Sequence, residues 1–176
     1  MRSLTRRLFS PFLVLALCFG ALGISPSMVF AGPPASSSAA AYDWHTFFGG
    51  AGSEGAQSVA VDSAGNIIMA AYGDFSWIGP GGQTPLNPHS SSVDMLVVKL
   101  DSSGNYLWHT FVGGSGVDYP DDVAVDASGN VFITGYSSAT WNGPGATAAI
   151  TPYTGNSDIV VVKLYTLPIN AIDNIN

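Results

Sequence analysis

Trp44-His45-Thr46-Phe47 returns 64 residues later as Trp108-His109-Thr110-Phe111. The same shift carries Val59-Ala60-Val61-Asp62 onto Val123-Ala124-Val125-Asp126, and Gly65-Asn66 onto Gly129-Asn130. It carries Trp77 onto Trp141, Gly79-Pro80-Gly81 onto Gly143-Pro144-Gly145, and Val97-Val98-Lys99-Leu100 onto Val161-Val162-Lys163-Leu164. Between Trp44 and Leu100 no gap is needed, and 24 of the 57 positions are identical. Self-similarity at a fixed period is the mark of a repeat architecture.

Each unit reads as four strands. In the first copy these are Gln57 to Asp62, Asn66 to Tyr72, Asp94 to Leu100 and Tyr106 to Val112. Asp94 to Leu100 is almost wholly apolar and β-branched, the composition of a strand buried on both faces. The second copy offers Asp122 to Asp126, Asn130 to Tyr136 and Asp158 to Leu164. Three Asp-x-x-Gly-Asn turns, at 62–66, 101–105 and 126–130, join successive strands. The Asp accepts backbone hydrogen bonds and the Gly supplies a positive φ, so first and second strands pair, as do third and fourth. Gly73 to Val93 is long and rich in Gly, Pro and Ser, and is expected to form a surface loop carrying Trp77.

Four antiparallel strands per repeat is the pattern of a propeller blade. The expected fold is all-β, with antiparallel four-stranded propeller-type blades after a helical signal peptide. Gly129-Asn-Val-Phe-Ile-Thr-Gly-Tyr136, Asp158-Ile-Val-Val-Val-Lys-Leu164 and Trp-x-Thr-Phe-x-Gly-Gly at 44–50 and 108–114 carry a family resemblance. They resemble the bacterial β-propeller repeat, the SBBP repeat, over nearly all of residues 42–164. The resemblance implies exported or surface proteins with a propeller fold and no established catalytic residues. Two departures stand out. Members carry many repeats where two are present here, and residues 165–176 replace the expected turn and final strand with an irregular tail.

Arg2, Arg6 and Arg7 precede an apolar run from Phe12 to Ile24, and Val29-Phe30-Ala31 has the small residues of a signal-peptidase site. This is the layout of a secretory signal over 1–31; the run is short of the ~20 residues needed to span a bilayer. Thr5-Arg6-Arg7-Leu8-Phe9 also resembles a twin-arginine export motif, leaving the export route open. Leu15-Ala16-Leu17-Cys18 departs from a lipoprotein box at Leu17. Residues 32–41 read as a flexible leader of Gly, Pro, Ser and Ala. Residues 42–164 then hold two repeats, 44–107 and 108–164. The expected location is secreted or cell-surface, with no membrane insertion after cleavage.

Cys18 is the one cysteine, so disulfides, zinc–thiolate sites and cysteine nucleophiles fall away once the signal is removed. Lys99 and Lys163 then stand alone against twelve Asp and Glu, a net charge near −10. Such a surface repels nucleic acid. His45 and His109 are repeat equivalents, so they do not form a pair built around one site. There is no Gly-x-Ser-x-Gly elbow and no phosphate loop. No enzyme and no resident cofactor is therefore expected. Asp118, Asp121 and Asp122 form a weak Ca²⁺ candidate, set against solvated turn acids. Trp77 and Trp141 are binding candidates for a glycan or partner protein, set against caps on their own blades.

With strands labelled a to d, the chain reads d (Tyr42 to Phe48), abcd, abc. It starts with an outer strand and lacks one at the other end. Rings need about four to eight blades, so two cannot close alone. Two readings stay open: head-to-tail self-association, with the strand around Trp44 completing the blade that ends at Leu164, or a truncated remnant of a larger surface protein. The expected function is an exported structural or protein-interaction module, with a lectin-like ligand-binding propeller as the alternative.

Overall fold

A computed structural model describes residues 41–165 of the chain. The described residues, Ala41 apart, belong to one compact unit that starts at Tyr42. The signal at 1–31, most of the leader and all but the first residue of the tail lie outside the described residues. Among the described residues no helix is long and apolar enough to cross a membrane.

Among the described residues seven strands form two antiparallel sheets. The first sheet has order β1 (Glu54–Val61), β2 (Ile67–Gly73), β3 (Asp94–Leu100) and β4 (Tyr106–Val112). The second has order β5 (Asp118–Val125), β6 (Val131–Ser137) and β7 (Asp158–Leu164). Strand pairing follows chain order in both, as the turn chemistry requires. In each of the three Asp-x-x-Gly-Asn turns one Asp oxygen accepts two backbone N–H groups, and the other accepts the Asn side-chain amide. Gly65, Gly104 and Gly129 sit there at φ of 82°, 81° and 80°, a conformation that costs other residues a Cβ clash.

Period-two alternation gives each sheet two faces, and the repeat makes them nameable. Ile67, Met69, Leu96, Val98 and Leu100 share the X face of the first sheet; Val131, Ile133, Val160, Val162 and Leu164 share that of the second. Ile68, Ala70, Met95 and Val97 lie on the Y face of the first sheet, with Phe132, Thr134, Ile159 and Val161 their counterparts. The main core is the Y face of the first sheet packed on the X face of the second. A smaller core lies on the X face of the first sheet, where Trp77 and Phe111 join Leu96, Val98 and Leu100. Dissimilar faces meet, so the packing is head-to-tail and leaves one X face and one Y face over.

The sequence marks Tyr42 to Phe48 as an outer strand; the structure corrects this, since residues 41–50 form no strand. No sheet edge is free beside the first sheet's β3, where the segment lies. β3, the strand this sequence type pairs with, is flanked by β2 and β4 on its two edges. The segment instead passes over the X face of the first sheet, with the Trp44 ring against Gly104 and Phe48 against Trp77 and Tyr106. β1 and β5 also start earlier than the sequence suggests, at Glu54 and Asp118, each with a bulge before its Val-Ala-Val stretch.

Candidate functional site

β4 shows how a fourth strand is seated in this repeat. His109 pairs with Val98, Thr110 with Val97 and Phe111 with Leu96 along β3. The long loop then clasps the outer edge of β4. Leu86 N–H donates to the His109 carbonyl at 2.9 Å, and Phe111 N–H donates to the Asn87 carbonyl at 3.1 Å. Asn87 also donates to Thr110 Oγ1 from its backbone and its side-chain amide, at 3.2 and 3.0 Å. The Trp77 ring lies flat on His109, centroids 3.8 Å apart and planes 10° from parallel.

His109 is fully buried between these groups. Its Nε2 faces the Trp77 carbonyl at 3.2 Å, so it carries the proton, and Nδ1 accepts from the Tyr106 hydroxyl at 2.6 Å. Burial holds its pKa below the ordinary imidazole value, against the pull of the Trp77 carbonyl. Both nitrogens are engaged, and the ring is a packing element rather than a free base. Trp77 is 5% exposed, which leaves it no open face for a sugar ring or partner. Its Nε1 is buried without a hydrogen-bond partner.

In the second sheet the same parts surround a gap. Among the described residues no strand pairs with the outer edge of β7. A groove of about 730 Å³ runs there, walled by Trp141, Thr151, Tyr153, Ile159, Val161 and Lys163 among others. Trp141, the counterpart of Trp77, is only half-buried and donates to Ser137 Oγ at 3.1 Å. Thr154 repeats the role of Ser90: its backbone N–H donates to Asp158 at 2.6 Å, as Ser90 N–H donates to Asp94 at 2.7 Å. The loop scaffold of a filled blade is therefore in place around an unfilled edge.

The Y face of the same sheet is open as well. β3 is buried at every residue, whereas β7, nearly identical in sequence, alternates between half-buried and exposed. Val97 is 0% exposed and its counterpart Val161 65%; Ile159 is 87% exposed. Lys99 forms an ion pair with Asp62 at 2.9 Å, while Lys163 lies over the Phe132 and Tyr165 rings. Two large apolar side chains, Ile159 and Val161, are thus left exposed on this face. The sequence points to an outer edge of β7 that no described strand fills, but it does not point to this open face. The signal for it is the composition of β7 itself, suited to two-sided burial and supplied with one side.

The acidic candidates do not converge. They lie in strand β5 rather than in a turn before it. Asp118 is fully buried, accepts from Gly114 N–H at 2.8 Å, and leaves Oδ1 without a partner. Asp121 and Asp122 are exposed, and Asp122 accepts from Ser58 and from its own neighbour Val123 N–H. Asp118 interacts with Asp94, whose pKa is pushed up by burial against the Ser90 hydrogen bonds, with the Asp118 charge adding to the rise. Among the described residues there is no group of three or more His, Cys, Asp or Glu that could hold a metal ion. His89 lies in the loop against Phe111, and His45 in the segment over the first sheet beside Tyr42 and Phe47.

Known proteins match at the level of the repeat. An uncharacterized WD repeat-containing protein of Acanthamoeba polyphaga mimivirus is 34% identical over 98 residues, 52% of this chain. The chain spans only 7% of that protein's length, and WD repeats are themselves propeller blades. The family model of the SBBP β-propeller repeat matches residues 107–140, which run from β4 through the hairpin of β5 and β6. Sheet order, turn chemistry and this match together identify residues 107–140 as a repeat of the SBBP β-propeller family.

Proposed function

We propose that this chain is an exported, non-catalytic interaction module that binds protein through the unfinished side of its second blade. The observation that carries this reading is the exposure of Ile159 and Val161 on a strand whose counterpart in the first blade is completely buried. An apolar β-branched face beside an unpaired sheet edge offers main-chain hydrogen bonds and side-chain pockets together, the two elements of β-strand addition. The signal-like start of the sequence supports export. The dispersed acids and the doubly bonded His109 support a role without catalysis. The test is native gel filtration with light scattering on the protein recovered from the exported fraction, unaltered and as Ile159→Ser/Val161→Ser. The unaltered protein is expected in a complex larger than one chain and the double variant outside it. A protein retained in the cytoplasm would overturn the export reading, and a lone monomer in both forms would overturn the interaction reading.

A second reading rests on Trp141 and Tyr153, two aromatic rings on the wall of the groove. Aromatic rings beside polar groups suit sugar stacking. Glycan-array binding lost in Trp141→Ala would favour it over protein binding; an array with no positive glycan would remove it. No resident metal or cofactor is proposed, and calorimetry with Ca²⁺ tests the Asp118 region.

A further inference from the structure

The geometry points to one occupant for the groove beside β7: residues 42–48 of a second copy of this chain, added as the fourth strand of the second blade. The inference rests on the interaction-module reading and names its partner.

Residues 42–48 are the repeat counterpart of β4. Tyr42, Trp44, His45, Thr46 and Phe47 match Tyr106, Trp108, His109, Thr110 and Phe111 in type and spacing. Even the local hydrogen bond repeats: the Tyr42 hydroxyl meets His45 Nδ1 as Tyr106 meets His109. Yet the segment is used as no strand, and no backbone–backbone hydrogen bond ties residues 41–50 to the rest of the described chain. Phe47 is 88% exposed. Moving it therefore breaks no sheet ladder, and adding it to β7 satisfies a row of donors and acceptors that no described strand pairs.

The slot fits residue by residue. By the register of the first blade, Thr46 would lie opposite Val161, His45 opposite Val162 and Phe47 opposite Val160. His45 would then stack on Trp141 as His109 stacks on Trp77, which uses the Trp141 face now lining the groove. Thr46 would meet Thr151, the counterpart of Asn87.

The faces agree with the edges. In a second copy the strand 42–48 leads into β1, as β4 leads into β5 within one chain. Seating it on β7 thus brings the X face of that copy's first sheet onto the open Y face carrying Ile159 and Val161. This continues the Y-on-X packing already present between the two sheets. The contact is heterologous, so copies add head-to-tail and close when the blade number allows; rings of about four to eight blades correspond to two, three or four copies.

The test uses the full-length chain with Cys18→Ala as background. Thr46→Cys and Val161→Cys are made in separate batches, checked for an unchanged circular-dichroism spectrum, mixed and mildly oxidised. Directly opposed strand positions meet the Cα spacing of a disulfide. A mixed disulfide dimer is expected in at least about tenfold excess over that from Val161→Cys with Ser103→Cys on a distant exposed turn. Light scattering of the unaltered chain is expected to show two, three or four copies. A monomer that yields no disulfide between positions 46 and 161 overturns the inference. If the chain binds a different protein or a glycan while the crosslink is absent, the self-association inference fails and the interaction reading stands.

Discussion

Val97 and Val161 occupy the same position of the repeat, on strands of nearly the same sequence, yet Val97 is 0% exposed and Val161 65%. Replacing each by Ala is therefore an internally controlled experiment. Two methyl groups are lost in both, and the change in β-propensity is the same. At Val97 the full transfer and cavity terms apply, about 2 kcal/mol. At Val161 only about a third of the side chain is covered in one copy, so the loss scales to about 0.7 kcal/mol. The difference, about 1.3 kcal/mol, is close to a tenfold change in the folding constant. Urea unfolding at low micromolar protein, where copies are apart, reads both values from midpoints at constant slope. Equal losses at the two positions under dilution would refute the argument, because they would mean that the Y face of the second sheet is already covered within one chain. Repeated at high protein concentration, the Val161→Ala loss is expected to grow toward that of Val97→Ala.

Asp62 is desolvated, which acts to raise its pKa, but the Asn66 amide, Lys99 and the backbone N–H groups of Asn66 and Ala64 outweigh this and bring it from 3.8 to about 2. The group thus stabilises the fold fully above pH 3.8 and loses its contribution as pH falls through about 2; Asp62→Asn is expected to cost about 1–2 kcal/mol at neutral pH after solvent screening at the turn, and to flatten the acid limb of a stability–pH curve. The depressed pKa of His109 acts below pH 6.5: the unfolded chain takes up a proton there that the buried ring resists, so stability falls with pH from 6.5 downward, and His109→Gln is expected to reduce that slope in urea titrations at successive pH values. At Gly135 a Cβ would run into the Tyr119 carbonyl and Pro120 across the bulge of β5. Gly135→Ala is therefore expected to lower the thermal midpoint by several degrees, the effect of a backbone shift of about 2 kcal/mol, whereas the first blade already carries Ala71 at that position.

The strands were legible because the signals are local. β3, β4 and β7 run between the same residues that the apolar runs and the Asp-x-x-Gly-Asn turns mark out. The fate of Tyr42 to Phe48 was not legible, because its sequence specifies a strand but not whether an edge is free to receive it. Trp77 and Trp141 show the same limit at the site. Identical position and flanking Gly-Pro-Gly suggest one environment, yet Trp77 is buried by β4, and among the described residues no strand takes that place beside Trp141. Asp118 read as a turn acid because β5 starts before the bulge, and a bulge has no fixed sequence signature. The open Y face depends on which blade follows, a property of the neighbour and not of β7.

Amide exchange along β7, followed by nuclear magnetic resonance across a range of protein concentrations, reports whether the β7 edge takes up a strand from a second copy. Alternate β7 amides bond to β6 and the others point to the unfilled edge. The edge-facing amides are expected to exchange rapidly in dilute protein and to become protected as concentration rises, together with the amides of residues 42–48. Edge amides that exchange at the same fast rate at every concentration, in a protein that stays monomeric, would mean that no second copy pairs with β7.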